Sequence, residues 1–148
     1  MDTVTKDRTA LSLRRFYCAP VAAVYAAWTT PAQVSCWMGA TDAFGPADVT
    51  MDLRPGGAYR IVMHAPDGET HCVNGMFRDV IPGRKLVYTW AWASTPERES
   101  LVTVEFAPAD GGTELVLTHR RFADGAARDR HLGGWTGCLG RLERFLAR

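Results

Sequence analysis

The sequence predicts an α+β fold in which a curved antiparallel sheet wraps around a long C-terminal helix, in the order β-α-α-β6-α. Three observations carry this. Apolar and polar residues alternate from residue 49 to residue 119, in runs separated by short turns rich in glycine and proline. Alternation is the period of a half-buried strand, and short turns join antiparallel neighbours. Between residues 20 and 37, and again over 131 to 146, the period becomes helical, and only helices are left to cover the apolar face of the sheet.

The elements follow in order. Residues 9 to 17, TALSLRRFY, place Leu11 and Leu13 on one face of a first strand. Pro20 opens a helix where proline is tolerated, and Val21, Val24, Tyr25 and Trp28 form its apolar stripe. Pro31 opens a second, shorter helix that ends near Trp37 and Gly39. Val49, Met51 and Leu53 begin the alternating region, and RPGG at 54 to 57 turns the chain. Tyr59, Ile61 and Met63 share a face, PDGE at 66 to 69 makes a hairpin, and 70 to 80 is the return strand. After the turn at Pro82 and Gly83, Leu86, Tyr88, Trp90 and Trp92 share a face. Val102, Val104 and Phe106 follow, then a DGG turn at 110 to 112, then Leu115, Leu117 and His119. Asp124 caps the final helix.

That helix contains HLGGWTGCLGRLERFL, residues 131 to 146, with four glycines among its apolar residues. Each glycine costs about 1 kcal/mol against alanine in a helix interior. On a helical wheel, Phe145, Cys138, His131, Leu142, Trp135, Leu146, Leu139 and Leu132 fall within an arc of about 140° that faces the sheet. Gly134 lies at the margin of that arc, where it leaves space beside Trp135 or lets a strand approach. Gly133, Gly137 and Gly140 lie on the opposite side. They are either merely tolerated there or receive another backbone, from a loop of this chain or from a second copy in a homodimer.

A chain of 148 residues suffices for one domain with a real core. Its 47% hydrophobic and 22% charged residues are ordinary for a globular protein. A formal net charge of +1 gives no bulk attraction to nucleic acid or membrane surfaces. Arginine pairs such as Arg14 and Arg15 or Arg120 and Arg121 are not interleaved with aromatics as a nucleic-acid groove would require. No apolar run approaches the roughly 18 residues of a membrane span, and the polar start MDTVTKDRTA does not read as a signal peptide. Residues 1 to 8 are expected to be a disordered tail and the protein cytoplasmic. Cys18, Cys36, Cys72 and Cys138 form no CxxC pair and are expected to be buried thiols.

Four segments resemble a known family: FYCAPVAAVYAAWTTPAQVSCWMG, VTMDLRPGGAYRIVM, DGETHCVNGMFRDVIPGRKLVYTW and HLGGW. Together they resemble the activator of heat-shock protein 90 ATPase homologue-like family, within the START-related helix-grip superfamily, also called SRPBCC. The resemblance spans Leu11 to Leu146 and implies a single START-like domain over residues 1–148. It also implies an elongated cavity between sheet and helix that takes a hydrophobic ligand, with no cofactor. The side chains that the pattern sends to that cavity are Met63, Tyr88, Trp90, Trp92, Phe106, His119, His131, Trp135 and Cys138. Trp37 and Phe44 close one end. The plain alternative for each is an ordinary place in a solid core.

The expected function is therefore non-catalytic binding of a small hydrophobic or amphipathic ligand. One alternative, carried by the family name alone, is a chaperone-associated or stress-response interaction domain. Another is a cyclase- or hydrolase-like enzyme that uses His119 or His131 as acid or base. No motif ties a nucleophile to either imidazole, and Cys138 lies about 10 Å along the helix from His131. His64, His71 and Cys72 share a hairpin, but alternation sends Cys72 to the face opposite His71, so no metal site is expected. RPGGAYR lacks the glycine spacing of a nucleotide loop and precedes a strand.

Overall fold

The computed structural model describes Asp2–Thr3 and residues 7–148. In chain order the elements are β1 (Asp2–Thr3), β2 (Leu11–Tyr17), α1 (Val21–Thr29), α2 (Pro31–Trp37), β3 (Asp48–Met51), β4 (Ala58–His64), β5 (Thr70–Ile81), β6 (Lys85–Trp92), β7 (Ser100–Ala109), β8 (Gly112–Arg120) and α3 (Gly125–Leu146). The order expected from the sequence is present, with the two-residue β1 added. Of the tail expected over residues 1–8, residues 1 and 4–6 lie outside the described residues.

The strands form one antiparallel sheet in the order β1-β2-β8-β7-β6-β5-β4-β3. From β3 to β8 it is a meander of sequential neighbours, as the short turns require. The first long strand, β2, lies against the last, β8, while β3 stands at the far edge. Helices α1 and α2 therefore carry the chain from one side of the sheet to the other. Proline opens both: Pro20 is the N-cap of α1, and Pro31 begins α2.

Curvature comes from β5. The register between β5 and β6 shifts between Phe77 and Asp79, and such a bulge bends the strand that carries it. Tyr59 lies across Gly75 and donates its hydroxyl to the Thr89 carbonyl at 2.6 Å. A Cβ on Gly75 would collide with that carbonyl and with the Tyr59 ring. Glycine is thus needed where the sheet closes on its own side chains.

Helix α3 begins at Gly125, where the Asp124 carboxylate accepts from the Ala127 amide at 2.8 Å. Trp135, Cys138, Leu139 and Leu142 are its buried line in the second half, on the arc the wheel assigns to the sheet. Leu139 and Leu142 are 1% and 0% exposed, and each contributes about 1.5–3 kcal/mol by leaving water. The Tyr17 hydroxyl donates to the Leu139 carbonyl at 3.0 Å and ties β2 to the helix.

The outer glycines do not form one open groove. A Cβ on Gly137 would collide with the carbonyl of Ala40. The loop after α2 therefore already occupies Gly137, and the reading of Gly133, Gly137 and Gly140 as a shared dimer groove needs correction. Gly133 meets nothing, and Gly140 meets only the tip of Arg144. The same loop is fastened to α3 by Asp42, whose carboxylate accepts from Arg144 Nη2 at 2.8 and 2.9 Å.

Candidate functional site

A cavity of about 650 Å³ opens between α3, strands β4 to β6 and the loop after α2. Each wall follows from a local period. On α3, His131, Gly134, Trp135 and Cys138 recur at i, i+3, i+4 and i+7 and share a face. On β6, Trp90 and Trp92 are two residues apart and point the same way. Met63 comes from β4, and Met38, Ala40 and Phe44 come from the strapped loop. Thr70, His71, Ala93, Ser94 and Arg130 are exposed and mark the mouth.

Three indoles dominate the wall. The Trp90 ring lies 5.1 Å from Trp135 and 5.5 Å from Trp92, centroid to centroid. Such spacings are those of attractive aromatic pairs. Two imidazoles lie behind and beside them. His119 is 0% exposed, and its ring is 5.2 Å from that of His131. Phe122, at the β8–α3 junction, covers both at 4.2 and 4.8 Å.

The hydrogen bonds fix both tautomers. Trp135 Nε1–H donates to His119 Nδ1 at 3.0 Å, so the His119 proton sits on Nε2. That nitrogen donates to Ser100 Oγ at 2.6 Å, and the serine hydroxyl donates to the Trp90 carbonyl at 3.1 Å. Trp92 Nε1–H donates to His131 Nε2 at 3.0 Å, and His131 Nδ1–H donates to the Ala127 carbonyl at 2.7 Å. An indole N–H can only donate and a carbonyl can only accept, so no other assignment satisfies both chains. Protonating either imidazole would set two N–H groups against each other. Burial pushes His119 well below its ordinary pKa, reinforced by His131. Burial also lowers that of His131, against the pull of the Ala127 carbonyl. Burial raises the Cys138 thiol to about 11, and its Sγ contacts the Gly39 carbonyl at 3.3 Å.

The eleven candidates from the sequence divide. Phe44, Met63, Trp90, Trp92, His131, Trp135 and Cys138 line the cavity. Trp37, Tyr88, Phe106 and His119 do not, and their assignment as wall residues is corrected. Trp37 is 0% exposed, packs on Trp28 at 4.8 Å and donates its indole N–H to the Ala27 carbonyl. Phe106 packs beneath α1 against Tyr25 and Trp28. Tyr88 lines a separate void of only about 20 Å³. Trp37 ends α2 and packs back on α1, and for Tyr88 and Phe106 the cause is the two helices α1 and α2. They cover part of the same sheet face, so an inward position there meets a helix instead of space. His119 is a buffer behind the wall, enclosed by Trp90, Trp135, Ser100 and Phe122.

Several wall residues escaped the pattern. Met38 and Ala40 lie in an irregular loop, and Thr70, His71, Ala93, Ser94 and Arg130 are placed by the cavity mouth. Ser100 carried a weak signal, as a small polar residue at an inward strand position. His71 faces Trp92 at 6.4 Å; Cys72 also borders the cavity, and its Sγ accepts from Arg60 Nε at 3.3 Å, while His64 Nε2 meets Asp48 at 2.9 Å. Of the four cysteines expected to be buried, Cys138 is buried, Cys36 and Cys72 are half-buried and Cys18 is exposed, which corrects that expectation.

The family described as activator of Hsp90 ATPase homolog 1-like protein matches residues 18–147. A solved structure of a protein from Rhizobium leguminosarum is 32% identical, with a TM-score of 0.79, and the match covers 94% of each chain. The AHSA1 protein of Silicibacter pomeroyi is 28% identical, with a TM-score of 0.82, over 93% of this chain and 97% of that one. A protein from Arthrobacter aurescens is 18% identical with a TM-score of 0.86, over 99% of this chain and 91% of that one, a likeness of fold alone. No curated protein matches the sequence. The chain belongs to the activator of Hsp90 ATPase homolog 1-like family. Among the described residues no helix is long and apolar enough to cross a membrane.

Proposed function

We propose that this member of the family binds a small hydrophobic or amphipathic molecule between its sheet and C-terminal helix, without transforming it. The observation that carries the reading is the cavity of about 650 Å³ walled by Trp90, Trp92, Trp135 and Met63. That volume falls within the range of small-molecule sites, and an apolar wall with polar groups at one end is their usual composition.

The histidines favour binding over catalysis. Each imidazole spends one nitrogen accepting from an indole and the other donating to an oxygen. Taking a proton from a bound molecule would break a bond that positions the wall itself. A general base instead needs a nitrogen within reach of its substrate and free to accept.

Native mass spectrometry of protein purified from cells, followed by denaturing identification of any released compound, tests the reading. A retained molecule with a large apolar part is expected. Protein that carries none, and that binds no member of a hydrophobic compound set in calorimetry, would overturn it.

A further inference from the structure

The wall of the cavity is short of polar anchors. Trp92 and Trp135 give their N–H groups to His131 and His119, and the remaining His131 proton goes to Ala127. Cys138 Sγ is engaged at the Gly39 carbonyl. The Trp90 Nε1–H is buried and has no hydrogen-bond partner, so it is the one neutral donor of these indoles left unspent. A charged group pushed to this depth would lose its water and find at most that one neutral N–H, at a cost that excludes it.

The mouth is different. Thr70 and Ser94 carry hydroxyls there, His71 an imidazole, and Arg130 a permanent positive charge. Among the described residues no Asp or Glu lines the cavity. The neighbouring Asp129 is held by Arg128 Nε at 2.7 Å, and no carboxylate lies within ion-pairing distance of Arg130 among the described residues. Arg130 lies one helical turn before Gly134, on the side of α3 that borders the cavity. The site thus has one end that rejects charge and one end with an unneutralised cation.

We propose that the ligand is an amphipathic anion, with its apolar body against the three indoles and its carboxylate-like head at Arg130 in the mouth. This rests on the binding reading above and adds the sign of the head group and its orientation. Guanidinium groups match carboxylates with paired N–H donors, and the exposed hydroxyls of Thr70 and Ser94 stand on the same rim.

The test uses three chain-matched probes below their aggregation concentrations: dodecanoate, dodecanol and dodecylamine. Binding to the full chain is followed by calorimetry at pH 7 and low salt. Dodecanoate is expected to bind about fivefold more tightly than dodecanol, as suits an ion pair at an exposed mouth. Dodecylamine is expected to bind most weakly. Added salt shrinks the differences. Arg130→Gln, at an exposed helix position, removes the preference for the acid and keeps the affinity for the alcohol. Equal binding of acid and alcohol by the native protein, or a preference that survives Arg130→Gln, would overturn the anion assignment and leave the binding reading intact. Failure of all three probes to bind would overturn both.

Discussion

The indole of Trp92 and the imidazole of His131 share one hydrogen bond, 3.0 Å from Nε1 to Nε2, and that bond joins β6 to α3 across the cavity wall. A second such pair, Trp135 and His119, stands behind it at the same 3.0 Å. Both require a neutral imidazole. In each, a tryptophan that shapes the cavity is held by a histidine whose other nitrogen is already occupied.

Acid should therefore weaken the fold. Both histidines have pKa values lowered from the ordinary 6.5, chiefly by burial. As pH falls below 6.5, the unfolded chain takes up protons that the folded chain refuses. Stability is full above that value and falls by about 1.4 kcal/mol per pH unit for each histidine, until the folded-state pKa is reached. Urea unfolding between pH 7.5 and 5.5 should show this slope, and His131→Gln should reduce it. A flat profile would mean that neither imidazole is held neutral by the fold.

Ser100→Ala should cost about 1–3 kcal/mol, because it leaves the buried Nε2–H of His119 without its acceptor. Denaturant unfolding at pH 7.5 measures it. A loss below 0.5 kcal/mol (about the noise of such measurements) would contradict the tautomer assigned here.

The glycines of α3 should separate by sign. Gly133→Ala meets nothing and should stabilise by about 1 kcal/mol through helix propensity alone. Gly137→Ala should destabilise by about 1–3 kcal/mol, because the new methyl group meets the Ala40 carbonyl and the loop must move. Thermal unfolding of the two variants side by side gives the comparison. Equal effects would mean that the loop does not seat on the helix.

Gly134→Leu should block the cavity without harming the fold. Gly134 borders the cavity, and a Cβ there meets no atom within 4 Å. Helix propensity favours leucine by roughly 1 kcal/mol, so unfolding should be unchanged or later. Affinity for a hydrophobic probe should fall about tenfold or more as the side chain takes its place. Unchanged affinity in a well-folded variant would locate binding elsewhere.

The strands and helices were legible because their signals are local. Val49 to His119 alternate, and the stripe at Trp135, Cys138 and Leu142 repeats at helical spacing. Six of the seven candidate residues that line the cavity do so for the same reason, since inward positions on β4, β6 and α3 follow from period alone, and the seventh, Phe44, comes from the loop after α2. What period cannot supply is which stretch of the inward face another element covers. Tyr88 and Phe106 point inward as alternation requires, yet α1 and α2 fill the space above them, while Trp37, at the end of α2, turns back onto α1 instead of closing the cavity. Gly137 looks like an outer residue on the wheel, and only the path of the Ala40 loop shows that it is covered. The pairing of Ser100 with His119 depends on the registry of β7 with β6 and β8, over a separation of 19 residues, which no local pattern encodes.

The proposed ligand lies against Trp90, Trp92 and Trp135. The five indole N–H groups of the chain, at Trp28, Trp37, Trp90, Trp92 and Trp135, are separate nitrogen-15 NMR reporters of it. The decisive measurement follows these resonances while dodecanoate and then dodecanol are added to the native protein. Trp90, Trp92 and Trp135 should shift saturably, while Trp37, bonded to Ala27 outside the cavity, stays in place. Saturable shifts at Trp37 with the three cavity indoles unmoved, or no shift at any indole, would contradict that placement.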